Sequence, residues 1–164
     1  MKKIMLFLSI LILIIPLNNC TGPEGPAGPP GKDATMEKQI RLTFELTTWG
    51  VPYDSVYTIL SCCSIPKFNI TNYLDVDSVV FFAYISAEGE NNYCIVDLFN
   101  LTDSIAIKNS LLKTNLDGEY VETGNIYNNL PKKEIDLAIR IRSSYYNTES
   151  HVNIGHAYLF LYRR

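Results

Sequence analysis

Residues 36–164 predict an all-β sandwich, and three observations lead there. Gln39 to Thr47 and Glu134 to Arg142 alternate apolar with polar residues, the period of a strand with one buried face. The run SVVFFAYIS, Ser78 to Ser86, is apolar at both parities, as expected of a central strand. Turn-forming residues recur about every ten to fifteen positions, and no long helical period interrupts them. Strands of this kind bury their apolar faces by packing two sheets together. About eight strands, the last running to the C-terminus, favour a jelly-roll.

The elements follow in order. In the first strand Ile40, Leu42, Phe44 and Leu46 point inward, and Arg41, Thr43, Glu45 and Thr47 outward. Trp49-Gly50-Val51-Pro52-Tyr53 reads as an aromatic loop. Ser55 to Cys63, β-branched and aromatic, is the next strand. After Ser78–Ser86, the segment Glu88 to Asn92 is a turn, and Tyr93 to Asn100 is expected as the second arm of a hairpin. Ser104 to Thr114 has a weaker strand pattern. Asp117-Gly118 marks a turn, and Tyr120 to Tyr127 another strand. In Glu134–Arg142 the inward set is Ile135, Leu137, Ile139 and Ile141. Arg140 is expected in solvent, where its truncation would cost about half a kcal/mol or less. Ser143 to Asn153 reads as a polar loop containing His151. Gly155 to Tyr162 is the closing strand, with His156 on the face of Tyr158 and Phe160.

The N-terminal 35 residues have a different character. Met1-Lys2-Lys3 is basic, and Ile4 to Leu17 is a 14-residue apolar run. A helix of that length reaches roughly 21 Å, short of the roughly 30 Å hydrocarbon core. Residues 1–19 therefore read as a secretory leader. Cys20 stands at its end, and this arrangement resembles the bacterial lipoprotein signal. The resemblance implies acylation of Cys20, cleavage before it, and a lipid anchor in a membrane. Asn18 and Asn19 depart from the small residues usual there. By the same resemblance, Thr21 in place of Asp implies export to the outer membrane.

Residues 20–35 carry a spacer. Gly22, Gly25, Gly28 and Gly31 open four Gly-X-Y triplets rich in proline. Such a tract prefers polyproline II and spans about 37 Å. Short tracts of this kind directly after a lipidated cysteine resemble those of outer-membrane lipoproteins of Bacteroidota type. Two readings stay open: a semi-rigid spacer on a monomer, or a short triple helix on a homotrimer.

Charge narrows the partners. The chain has 14 basic and 17 acidic residues; without Lys2 and Lys3, which fall in the leader, the net charge is -5. No basic stripe is present, so nucleic acid is a poor partner.

Three cysteines remain beyond Cys20: Cys62, Cys63 and Cys94. In an oxidising compartment one of Cys62 and Cys63 could bridge to Cys94, since adjacent strand residues face opposite ways. A vicinal Cys62–Cys63 bridge and three buried thiols are the alternatives. No metal-ligand spacing, nucleophile elbow or phosphate loop occurs, and no cofactor is expected. The pairs Asp75/Asp77 and Glu88/Glu90 could offer oxygens to Ca²⁺ but read more simply as solvated surface.

Binding has more support than catalysis. Trp49, Tyr53, Tyr145 and Tyr146 are aromatic residues in polar or turn-rich segments. Such rings stack on sugars or anchor a protein partner; otherwise they plug the ends of the sandwich. The pattern in YCIVDLFNLTDSIAIKNSLLKT, with EIDLAIRIRSS and IGHAYLFLY, resembles jelly-roll modules of the galactose- and carbohydrate-binding superfamily. It is similar also to collagen-tailed trimeric heads of the complement and tumour-necrosis-factor type. Asp-Ser-aliphatic triplets at Ser55, Ser78 and Ser104 resemble the O-glycosylation motif of Bacteroidota-type exported proteins, which implies those serines as acceptors.

The expected protein is a non-enzymatic, lipid-anchored outer-membrane protein, periplasmic or cell-surface, whose head binds a glycan or a partner protein. The alternative is a structural envelope protein with a self-associating head. Cys20→Ser should release the chain from the membrane fraction or leave it uncleaved, as read by fractionation and mass. A mutant that is processed and stays membrane-bound like wild type would refute the anchor.

Overall fold

The computed structural model describes residues 38–46, 49–52, 55–89, 91–144 and 151–164, with backbone only at 49–52. The leader, Cys20 and the Gly-X-Y spacer lie outside the described residues. Among the described residues ten strand segments are present: β1 (Gln39–Phe44), β2 (Trp49–Pro52), β3 (Thr58–Phe68), β4 (Val76–Ala87), β5 (Cys94–Asn100), β6 (Ile105–Ala106), β7 (Leu112–Thr114), β8 (Glu119–Glu122), β9 (Ile135–Ser143) and β10 (His151–Arg163). They form two antiparallel sheets, as the alternation in sequence predicts.

The first sheet runs β1-β10-β4-β8, with β2 also on β10; the second runs β3-β9-β5-β6, with β7 also on β5. β2 continues β1 along the same neighbour, and β7 continues β6. Ten segments therefore fill eight strand positions. The first position pairs with the last, the second with the seventh, the third with the sixth and the fourth with the fifth. That nesting is one long antiparallel hairpin rolled over itself, and the β4–β10 and β5–β9 ladders close the roll. It is the jelly-roll order.

The core lies between the sheets. Val79, Phe81, Ala83 and Ile85 of β4 and Ala157, Leu159 and Leu161 of β10 meet Ile135, Leu137, Ile139 and Ile141 of β9 and Val96 and Leu98 of β5, all fully buried or nearly so. Full burial of each large aliphatic chain is worth roughly 1.5–3 kcal/mol. The inward parity expected for β1 and β9 is the one observed.

Four expectations need correction. β4 and β5 do not form a hairpin, because they belong to different sheets. The turn between them is an arch: Asn92 is fully buried, donates to the Glu88 carbonyl at 3.1 Å and accepts from the Ser143 hydroxyl at 2.6 Å. A turn signal sets where the chain reverses, not which sheet receives it. Second, β8 ends at Glu122, short of Tyr127. Beyond it the Thr123 hydroxyl accepts from the Phe81 N–H at 3.0 Å, and the Asn125 side-chain oxygen accepts from the Val79 N–H at 3.0 Å. Side chains thus reinforce a ladder that the backbone continues past β8, where the Thr123 N–H donates to the Phe81 carbonyl at 2.9 Å and the Ile126 N–H to the Val79 carbonyl at 2.8 Å. Third, Trp49–Pro52 is strand β2 rather than a loop, and His151 opens β10 rather than sitting in a loop.

The fourth correction concerns Arg140. It is on the outer face of β9, as its parity requires, but it is not solvated. Its guanidinium makes a two-pronged bond to Asp97 on β5, at 2.9 and 2.6 Å. The rings of Tyr57 and Phe99 lie 4.1 and 4.5 Å from it. The two side chains are 18% and 7% exposed. The bond to Asp97 holds the Arg140 pKa above its ordinary value despite partial burial. Arg140→Ala leaves a buried carboxylate without its partner, so it should cost about 3 kcal/mol. The double variant Arg140→Met with Asp97→Asn should recover most of that loss in urea unfolding. A cost of Arg140→Ala under about half a kcal/mol would return Arg140 to solvent.

Candidate functional site: the aromatic outer face of the first sheet

The outward parity of the first sheet is where the structure departs most from an ordinary solvated surface. β4 contributes Val80, Phe82 and Tyr84, β10 contributes His156, Tyr158, Phe160 and Tyr162, and β8 contributes Tyr120. The register sets them in rows across the sheet. One row is Tyr120, Tyr84, His156; the next is Glu122, Phe82, Tyr158, Thr43; the third is Val80, Phe160, Arg41. Neighbouring strands lie ~4.8 Å apart, so rings in one row come into contact.

Contacts form within the rows, diagonally between them and along β10. Phe82 stacks on Tyr120 at 5.2 Å and meets Phe160 edge-on at 5.8 Å and Tyr158 at 6.3 Å. Tyr84 meets Tyr120 edge-on at 5.0 Å. Tyr158, Phe160 and Tyr162 continue at 5.8 and 6.4 Å, and His156 stacks on Tyr158 at 6.5 Å. The Arg41 guanidinium lies 5.3 Å from the Tyr158 ring centre. Tyr120 is 60% exposed and Tyr162 37%, while Phe82, Tyr84, Tyr158 and Phe160 are half-buried by one another. The result is a platform with exposed polar groups, Arg41, Glu122 and His156, among and beside the rings.

Two glycines shape it. β10 carries a bulge between Ile154 and His156 that leaves Gly155 unpaired. A Cβ at Gly155 would come within 3.2 Å of the Tyr84 ring, and one at Gly118 would collide with the Tyr84 hydroxyl. Gly118 also has φ +105°, a conformation that favours glycine. The bulge restores the parity that places His156 with Tyr158 and Phe160.

The residues singled out from sequence fall elsewhere. Tyr53, Tyr145 and Tyr146 lie outside the described residues, as does the side chain of Trp49, whose backbone sits at the edge of the first sheet beside Ile154. Ser55 and Ser104 are exposed, Ser104 in a turn at φ 56°. Ser78 is half-buried inside β4 opposite Tyr162. The aspartates of two Asp-Ser triplets have structural partners: Asp77 pairs with Arg164 and Asp103 with Lys133, both at 2.7 Å. Among the described residues no cluster of three metal-ligating side chains occurs. The platform was not singled out from sequence, although the alternate aromatics of YLFLY and VFFAY were its signal.

The bridge from Cys94 to Cys62 or Cys63 is incompatible with the register. Cys94 is level with Ser143 of β9, whereas Cys62 and Cys63 fall between the partners of Ile139 and Leu137. That separates them by about 15 Å along the strands, and a disulfide spans at most about 7 Å between Cα atoms. Cys94 is instead a buried thiol that donates to the Asn153 carbonyl at 3.7 Å. Burial pushes its pKa up to about 12, offset only in part by backbone hydrogen bonds of Ser86 and Asn153.

No family model matches the chain, and no curated protein matches it in sequence. Solved structures that align with the chain include two at low identity. A protein of Bacillus endospore appendages, from a family of disulfide-linked pili, aligns over 77% of this chain and 88% of its own, at 8% identity and a TM-score of 0.34. A family two carbohydrate esterase from Cellvibrio japonicus aligns over 72% of this chain and 34% of its own, at 13% identity and a TM-score of 0.27. The chain thus spans about a third of that esterase.

The raised Cys94 pKa has a pH consequence. The unfolded thiol ionises first, near its ordinary value of 9.0, while the folded thiol holds its proton to about 12. Its contribution is therefore whole below pH 9 and is lost as pH rises through that window. In urea unfolding between about pH 8 and 11, Cys94→Ala should flatten the decline relative to wild type. Parallel declines would place the thiol in water.

Proposed function

We propose that this chain is a non-enzymatic, lipid-anchored outer-membrane protein whose sandwich head captures a neutral glycan chain on the aromatic face of the first sheet. The observation that carries this reading is the continuous set of rings from Tyr120 through Phe82 to Phe160 and Tyr162. Sugar rings present flat arrays of C–H groups to aromatic faces, and their hydroxyls need hydrogen-bonding partners at the edges. Tyrosine hydroxyls, Arg41, Glu122 and His156 supply both kinds of contact in one surface. The face lies on the outer side of the sheet, which suits a chain better than a small enclosed ligand. It is about 14 Å across four strands and about 20 Å along β10 from His156 to Tyr162. The net charge of -5 without the leader disfavours polyanionic glycans. In this reading the acylated Cys20 holds the head at the membrane, and the Gly-X-Y tract sets its distance from the surface.

The test is binding of the purified head-bearing chain to an array of neutral polysaccharides. Tyr120→Ala and Tyr158→Ala should each weaken capture roughly fivefold, from about 1 kcal/mol of lost stacking. Tyr120 is largely exposed, so its variant should melt like wild type. No captured neutral glycan, or capture by both variants equal to that of wild type, would defeat the reading. Should light scattering instead give a dimer or trimer that Tyr120→Asp dissociates, the face is a self-association surface and the head is structural.

A further inference from the structure

Cys62 and Cys63 are consecutive in β3, and consecutive side chains of a regular strand point to opposite faces. Here the two sulfurs lie 3.2 Å apart. The strand is irregular at this point: Leu60 faces Ile139 and Ile65 faces Leu137, so a five-residue interval of β3 spans a two-residue interval of β9. The three surplus residues let both thiols turn to the same place. Cys62 is exposed and Cys63 is buried behind it. Both line a cavity of about 290 Å³ at the open side of the sandwich, closed from the other sheet by Thr43 and Glu45 and along β3 by Ser64, Ile65 and Pro66. A cavity of that size admits a small molecule, not a protein segment.

We infer that Cys62 and Cys63 form a thiol–disulfide exchange site for a low-molecular-weight disulfide bearing an amine near its sulfur. The exposed Cys62 gives up its proton to solvent and its thiolate attacks one sulfur of the incoming disulfide. The Cys62–ligand bond forms, the ligand's own S–S bond breaks, and one ligand thiolate leaves and takes a proton from solvent. The Cys63 thiol, 3.2 Å away, loses its proton to solvent and attacks the Cys62 sulfur. The Cys62–Cys63 bond then forms, and the second ligand thiolate departs and is protonated. Two electrons pass from the dithiol to the ligand, which leaves as two thiols. Glu45 supplies the charge that faces the ligand's ammonium group. Exposure assigns the order: Cys62 is the attacking residue and Cys63 the resolving one. Cys94, buried at the far end of the second sheet, is the internal control.

The full chain in mild detergent, treated with cystamine and then digested, tests this by peptide mass. Wild type should lose two hydrogens on the Cys62–Cys63 peptide and keep no adduct. Cys63→Ser, and Cys63→Ala as a second variant in case one misfolds, should trap a stable cysteamine adduct on Cys62. Cys62→Ser should react about tenfold more slowly, because its remaining thiol is buried. Cys94 should stay unmodified until the chain is unfolded. Glu45→Gln should lower the ratio of the cystamine rate to the rate with uncharged hydroxyethyl disulfide about threefold, the size expected of a partly exposed charge pair. A persistent adduct on wild-type Cys62, or Cys62→Ser reacting as fast as wild type, would overturn the exchange site. An unchanged rate ratio in Glu45→Gln would overturn its preference for amines. None of these outcomes touches the glycan reading, which rests on the outer face of the first sheet.

Discussion

The antiparallel ladder between β4 and β10 is the constraint on which the rest of the structure depends. Eleven residue pairs join the two strands, from Val152 and Ala87 to Arg163 and Val76. Both strands are central in the first sheet, so every residue of each must face either the core or the outer surface. One parity supplies Val79, Phe81, Ala83, Ile85, Leu159 and Leu161 to the interior, and the other supplies Phe82, Tyr84, Tyr158 and Phe160 to the platform. A slip of one residue would exchange the two sets, sending the tyrosine hydroxyls into the core. The Gly155 bulge is part of the same constraint, because a regular strand running through Gly155 would put His156 on the same inward parity as Ile154.

The jelly-roll is completed by short strands that pair by backbone. Three side chains reinforce that pairing beyond the strand ends. Thr123 and Asn125 extend the β8 edge against Phe81 and Val79. Ser110 accepts from the Leu98 N–H at 2.9 Å and donates to the Ile107 carbonyl at 2.8 Å in the gap between β6 and β7. Each leaves no buried donor of β4 or β5 unsatisfied, where the cost would be about 1–3 kcal/mol. The pairing reaches the platform: β8 is laddered directly to β4, which sets Tyr120 opposite Tyr84 and beside Phe82.

The two outer faces of the sandwich are built on different principles. On the second sheet Arg140 fills the space between Tyr57 and Phe99 and is neutralised by Asp97, so rings and charge satisfy one another internally. On the first sheet the rings pack on one another by stacking and by edge contacts, and Tyr120 and Tyr162 keep substantial exposure. An aromatic surface of this kind, left open at the centre of a sheet, is the part of the head with the most to gain from a partner.

The amino-acid sequence by itself determined the fold class and the inward residues of β1 and β9, because a period of two is a local property that any half-buried strand must carry. Ile135, Leu137, Ile139 and Ile141 were legible for that reason, and so was the shared face of His156, Tyr158 and Phe160. The tertiary structure decided what depends on neighbours distant in sequence. It sent β5 to the opposite sheet from β4, set Asp97 against Arg140 across 43 positions, and took Cys94 out of reach of Cys62 and Cys63. It also assembled the platform from three strands, each of whose aromatic residues, read singly, is ordinary strand composition. Periodicity reports which way a side chain points; only strand order and register report what it meets there.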